Sequence, residues 1–517
     1  MTVSSATAIP NDTKETPPRR SSTEEGQVER DIQLVAEEGF AATDSHGVPI
    51  VEFDPVAEKK LRRKIDWMIV PTVSVLYLFC FIDRANIGNA RLAGLEDDLG
   101  MTGNDYNALL SVFYISYILA QIPCNLACKR FGPGWFIPFI SFSFGACSLG
   151  TAFVRDMPAA CGVRFLLGLF EAGMMPGISY YLSRWYRRAE LVFRLSLFIV
   201  TAPLAGAFGG LLASGILSLP NIGDLYAWRM IFLVEGVITM GISLIAFLTL
   251  TDRPETARWL TSDEKKLAIA RVKSERVAQI AVLDEMNSQK LWLGFWNPMV
   301  LATSFIFLFN NITVQGLAFF LPTIVATIYP SYSVVQKQLY TVPPYVAGAL
   351  FEVAIPRISS RMDRRQIFFV LTAPLTMAGY ATFLGTANAQ ARYAATFLAA
   401  VSCFAMGPLS NAQVSAQVVS DSARSVALAT NMMLGNVGGL IATWSYLAHD
   451  APDYRPGNGL NLASATTVLL LAALALVWME ADNRRRDRRD GAEVLAGLTP
   501  TQIASLEWKH PDWRWKP

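Results

Sequence analysis

The sequence predicts an all-α integral membrane protein of about twelve transmembrane helices arranged as two six-helix halves. Three observations carry this expectation. Apolar runs of about 20 residues, the length that spans a bilayer, recur along the chain. Basic residues fill every second loop between them. One long polar loop divides the runs six and six. The composition agrees: of 517 residues 52% are hydrophobic and only 17% charged, against about 25% charged in soluble domains, and mean hydropathy is +0.33. The net charge of +2 says little as a total.

Residues 1–60 are rich in Ser, Thr, Pro, Glu and Asp and read as a disordered tail. They contain no apolar core of a cleaved signal peptide, so the first span itself is expected to direct insertion. The N-terminal half is assigned to 61–250, with spans near 65–85, 105–127, 135–154, 158–181, 194–218 and 228–249. A linker follows at 251–297, where Thr261-Ser262-Asp263-Glu264 has the form of a capping box opening a charged amphipathic helix to about Ala278. The C-terminal half, 298–480, carries spans near 298–328, 338–356, 367–386, 392–414, 425–447 and 459–479, and 481–517 forms a C-terminal tail. Within that tail the run Arg484 to Arg489 is expected to anchor to anionic lipid.

Orientation follows from the loops. The N-tail, Lys129/Arg130, Arg184/Arg187/Arg188, the linker, Arg357/Arg361/Arg364/Arg365, Arg424 and the Arg484 run lie on one side. The opposite set holds about one basic residue each. The positive-inside rule then puts both termini and the linker in the cytosol. Lys129-Arg130-Phe131-Gly132 after the second span and Arg361 to Arg365 after the eighth form a weak internal repeat. It suggests halves related by an axis along the membrane normal.

The stretch Cys161 to Gly177 of the fourth span carries two ionisable residues, Arg164 and Glu171, seven positions and two helical turns apart, about 10 Å along one face. Each costs roughly 2.5–3.5 kcal/mol at a membrane centre, so such residues pair with one another or face an interior cavity. An Arg164–Glu171 contact is therefore one expectation. A structural ion pair is the plain reading and a charged transport site the functional one. The six cysteines sit in or beside apolar runs without metal-site spacing and read as buried free thiols. No G-x-S-x-G, H-E-x-x-H or P-loop pattern occurs, and His46, His449 and His510 lie far apart, so neither an enzyme nor a cofactor is called for. Nucleic acid is not an expected partner.

Several motifs in order resemble the major facilitator superfamily, more closely its anion:cation symporters and the fungal allantoate permease-like branch. They are Asp83-Arg84-Ala85-Asn86-Ile87-Gly88-Asn89-Ala90, Gln121-Ile122-Pro123-Cys124-Asn125, Arg164-Phe165-Leu166-Leu167-Gly168 with Glu171-Ala172-Gly173, and Trp185-Tyr186-Arg187-Arg188-Ala189-Glu190. Glu235-Gly236, Phe320-Leu321-Pro322-Thr323, Val342-Pro343-Pro344-Tyr345 and Asp450-Ala451-Pro452-Asp453-Tyr454 continue the match. The resemblance implies a monomeric, proton-driven carrier of small carboxylates in the plasma membrane. It also implies that an acid–arginine pair on the first helix and an arginine with a glutamate on the fourth handle substrate and protons. The chain departs from the superfamily at Lys129 and Ser360, where a loop aspartate is usual, and at Gly407-Pro408 on the tenth span.

The chemistry of the matching residues fits that role. A carried anion needs a fixed cation at mid-membrane, and the planar guanidinium of Arg84 or Arg164 binds carboxylate in a two-pronged fashion. Proton coupling needs a carboxylate that burial makes able to hold a proton near working pH; Asp83 and Glu171 are the candidates. Asn310, Asn311 and Gln315 on the seventh span and Asn411 on the tenth either line a pocket or bond neighbouring helices. The rival readings are an exporter of the same fold, favoured by Ala202-Pro203-Leu204-Ala205-Gly206 on the fifth span, and a non-transporting nutrient sensor.

Overall fold

The computed structural model describes residues 42–43, 49–50, 54–186, 190, 194, 200–220, 228–280, 288–418, 421–488 and 506–517. Apart from a two-residue antiparallel pairing of Ala42–Thr43 with Pro49–Ile50, the regular structure of these residues is helical. Among the described residues twelve helices occupy the expected spans. The first six are α1 (Pro55–Leu92), α2 (Asp105–Phe131), α3 (Pro133–Thr151), α4 (Met157–Ser183), α5 (Thr201–Leu217) and α6 (Trp228–Thr249). The second six are α7 (Pro298–Ile328), α8 (Val342–Met362), α9 (Gln366–Gly385), α10 (Ala389–Ala416), α11 (Asp421–Ala442) and α12 (Arg455–Asp487). Among the described residues nine helices are long and apolar enough to cross a membrane by themselves. The other three are α5, which is short, α3, with its serines, glycines and prolines, and α8, which carries Glu352, Arg357 and Arg361.

The helices gather into two bundles. In the first, α3 packs on α6, α2 on α4, and α1 on both α5 and α6; in the second, α7 packs on α11, α8 on α10, and α9 on α12. The bundles meet where α1 touches α7, α5 touches α8, and α2 touches α11. Hydrogen bonds across this seam gather at the ends of α1 and α7 that lie opposite the basic loops. Asn107 Nδ2 donates to the carbonyls of Thr443 (2.6 Å) and Tyr446 (3.2 Å), and the Trp444 indole donates to Ser111 Oγ (2.9 Å). Gly88 allows the closest backbone approach there, since a Cβ on it would sit 2.5 Å from the Phe319 carbonyl oxygen.

Two tail boundaries shift. The first helix begins at Pro55, capped by Asp54, so the last residues of the expected N-tail are helical. The last helix runs on to Asp487, and 506–517 folds back onto the second bundle. Trp515 is buried among Met299, Ala475 and Met479, and its indole donates to Asp482 Oδ2 at 2.8 Å. Of the arginine run expected to face lipid, Arg486 turns inward instead. It pairs with Asp482 at 2.6 Å and donates to the Trp508 and His510 carbonyls. Arg489 lies outside the described residues.

The linker helix is Ser262–Ile280, and the Thr261–Glu264 capping box opens it in both directions. It docks on the base of the first bundle through ion pairs. Lys64 reaches Glu264 at 2.6 Å, and Arg271 reaches Glu58 at 2.9 Å and Glu190 at 2.6 Å.

Candidate functional site

The segment Ile82 to Ala90 of α1 is buried on every side, which places it at the centre of the first bundle. Neighbouring residues on a helix point about 100° apart. Asp83 and Arg84, adjacent in sequence, therefore face different helices and do not pair. Asp83 turns to α3, where Ser148 Oγ donates to its Oδ1 at 3.0 Å, while Oδ2 makes no hydrogen bond to the protein. Arg84 turns between α2 and α4.

Arg84 is the partner of Glu171: Nε donates to Oε2 at 2.6 Å, with the glutamate fully buried and the arginine side chain 8% exposed. The Cys80 thiol donates to the same oxygen at 3.4 Å. The guanidinium also lies against the rings of Phe81 (4.9 Å), Phe113 (5.3 Å) and Tyr117 (4.7 Å). Those rings present attractive faces to a buried cation. Gly168 of α4 lets this happen, because a Cβ there would collide with Ser116 Oγ and the Phe113 carbonyl of α2. The helix turns at Ala172 and Gly173, just past Glu171, before resuming at Met174.

The expected contact between Arg164 and Glu171 is not formed. Seven residues bring two side chains to one face but leave them two turns apart, and the shorter route to Glu171 comes from α1. Arg164 instead faces α6, 5.3 Å from the Phe232 ring centre, and its Nε and Nη2 make no hydrogen bond to the protein. Its charge acts on Asp83 and on Glu235. The fork is thus presented unspent.

Glu235, one turn beyond Phe232 on α6, is a buried acid that the sequence reading quoted only within a motif. Asn86 Nδ2 donates to its Oε2 at 2.7 Å, and Oε1 makes no hydrogen bond to the protein. Asn89 Nδ2 in turn donates to Asn86 Oδ1 at 2.9 Å, and the Asn89 carbonyl accepts from Gln338 of the second half at 3.4 Å. A second unassigned acid, Glu352 of α8, is 4% exposed with Oε2 unbonded. Both lie inside apolar runs. The rule that singled out Arg164 and Glu171, an ionisable residue in a membrane-length segment, would have found them.

Of the candidate polar residues of the second half, Asn310, Asn311 and Asn411 bond within that half. Asn310 donates to the Cys403 carbonyl of α10 at 3.0 Å, and Asn311 to the Gly435 carbonyl of α11 at 2.5 Å. Asn411 accepts from Asn431 of α11 at 2.9 Å, and Gln315 is buried on α7. None of these hydrogen bonds reaches Asp83, Arg84, Arg164 or Glu171, the charges gathered in the first bundle.

Comparison with known proteins adds findings of three kinds: a family, relatives and solved structures. Residues 73–443 match the family model described as Major Facilitator Superfamily. Over 89% of its length the chain is 33% identical to an uncharacterized transporter of Schizosaccharomyces pombe, covering 91% of that protein. It is 29% identical to the major facilitator-type transporter hxnP of Emericella nidulans, covering 95% of this chain and 99% of that one. Among solved structures, a bacterial homolog of the human lysosomal transporter Spinster, in an inward-facing and unoccupied conformation, superposes with TM-score 0.61 at 14% identity. That match covers 82% of this chain and 97% of the other. The E. coli xylose transporter XylE, in a partially occluded inward open conformation, gives 0.60 at 14% identity, covering 78% and 97%.

Proposed function

The chain belongs to the major facilitator superfamily of membrane transporters, and from that premise we propose that it is a secondary active carrier coupling proton movement to uptake of a small organic anion, a monocarboxylate by charge. One observation carries the reading. Arg164 is 3% exposed in the interior of a membrane protein, yet two of its donor nitrogens, Nε and Nη2, have no protein acceptor. A buried guanidinium without a full complement of acceptors is disfavoured, and a carboxylate is the group that matches its fork.

The geometry supports an exchange cycle. Glu171 neutralises Arg84 in the starting arrangement of this cycle. Protonation of Glu171 or Asp83 releases positive charge to an entering anion, the bundles rock about their seam, and loss of the proton on the other side restores the internal pairing and expels the substrate. With the basic loops cytosolic, this reading makes the seam closed by Asn107, Ser111 and Gln338 the outer one. The plasma membrane is the proposed location and a monomer the proposed working unit.

The test is a screen of labelled small carboxylates in proteoliposomes with an imposed pH gradient. Acid outside should drive accumulation. Glu171→Gln should still exchange labelled for unlabelled substrate but lose gradient-driven accumulation. Undiminished concentrative uptake by Glu171→Gln would remove Glu171 from the coupling role, and outward movement of a small acidic metabolite without anion uptake would favour the exporter reading.

A further inference from the structure

Among the described residues, the interior of the first bundle buries five ionisable side chains near one another: Asp83, Arg84, Arg164, Glu171 and Glu235. Two are cations and three are acids. Fully ionised, the group would carry one uncompensated negative charge in a membrane interior, a state that low polarisability strongly disfavours. One acid must therefore hold a proton while no substrate is bound.

Geometry says which acid. Glu171 is engaged by Arg84 at 2.6 Å. Asp83 accepts from Ser148 and lies under the charges of both Arg164 and Arg84. Glu235 has a neutral amide, Asn86, as its hydrogen-bond donor, and the charges acting on it are Asp83 and Glu171, which repel, and Arg164, which attracts. The elements packed on it supply little more. The packed face of α3 carries the Cys147 thiol and Ser148, the latter bonded to Asp83, and α5 brings no titratable side chain between Thr201 and Leu217.

We propose that Glu235 holds a standing proton in the empty carrier, distinct from the proton that travels with the substrate. The inference rests on the proton-coupled reading for its place in the cycle, but the charge count behind it does not. When a monoanion settles on Arg164 or Arg84, the group again carries one excess negative charge, and a second proton enters with it, on Glu171 or Asp83. That proton leaves with the anion, whereas the one on Glu235 stays. The empty carrier can reorient only while its interior is neutral, so alkaline conditions that strip Glu235 arrest the return leg. The amide of Glu235→Gln would balance the group with no proton at all.

Infrared spectroscopy of the purified full chain, without substrate, reads this through the C=O stretching band of protonated carboxyl groups and its deuterium shift. The measurements use a Glu352→Gln background, since Glu352 is another buried acid. At neutral pH one buried protonated carboxyl is expected, and Glu235→Gln should abolish its band. Asp83→Asn should also abolish it, because Glu235 then ionises as the counter-charge of Arg164. Arg164→Gln should do the opposite and add a second protonated carboxyl. The second and third variants keep the test open should Glu235→Gln fail to fold. A band unchanged in Glu235→Gln, or no band in the parent, would overturn the proposal. A failed carboxylate uptake screen with the band behaving as expected would count against the transport reading alone.

Discussion

Replacing Arg84 by glutamine tests the buried pair at the heart of the site. The change removes the cation 2.6 Å from Glu171, a carboxylate with no exposed surface, and leaves that carboxylate with the Cys80 thiol as its donor. Breaking one side of a buried ion pair costs about 3–5 kcal/mol, since the remaining carboxylate either stays desolvated and uncompensated or has to take up a proton. Loss of the guanidinium from Phe81, Phe113 and Tyr117 adds about 0.5–2 kcal/mol. The pair term therefore dominates. It should vanish when Glu171 is neutralised as well, because replacing both members of a buried pair is often close to neutral. Arg84→Gln alone is expected to lose about 3–5 kcal/mol in denaturant unfolding followed in mixed micelles, and Arg84→Gln/Glu171→Gln to stay within about 2 kcal/mol of the parent. A single variant within about 1 kcal/mol of the parent, or a double variant as damaged as the single, would refute the assignment of Arg84 as the charge partner of Glu171.

Three further outcomes are expected. Gly88→Val places bulk against the Phe319 carbonyl at the closed seam; overpacking of about 1–3 kcal/mol should shift the carrier about 5- to 150-fold towards the opposite state. An impermeant thiol reagent should then label a cysteine introduced at Val335, beside Ser214, faster, and an unchanged rate would argue against that seam as the gate. Trp515→Ala removes the anchor of 506–517, worth about 3–5 kcal/mol for a buried tryptophan. Hydrogen exchange across Trp508 to Lys516 should rise while α7 and α10 stay protected, and equal exchange would show that the anchor lies elsewhere. The hydrogen bond from Lys64 holds Glu264 below its usual carboxylate range. A lowered value in the folded state means that this docking is stabilised at neutral pH and loses that contribution as pH falls through the acid range. Exchange in Ser262–Ile280 should therefore rise on acidification in the parent and lose that dependence in Lys64→Gln.

The sequence by itself determined the membrane class, the twelve helices and their division. These follow from the number and length of apolar runs and the placement of loop charge, and both act locally along the chain. The capping box at Thr261 was readable for the same reason: its partners lie three residues apart. Asp83, Arg84, Arg164 and Glu171 were also legible, because ionisable residues stand out against hydrocarbon. Their partners were not. Tertiary structure decided that Asp83 and Arg84 diverge, that Glu171 answers to a residue 87 positions away, and that Glu235 joins the cluster. The C-terminal tryptophans were likewise readable as aromatic residues, but their burial against α7 and α12 depends on surfaces assembled from distant segments. Periodicity fixes which face of a helix a side chain occupies. What it meets there is set by the packing of other helices onto that face, where close approach at residues such as Gly168 decides which charge lies near enough to pair.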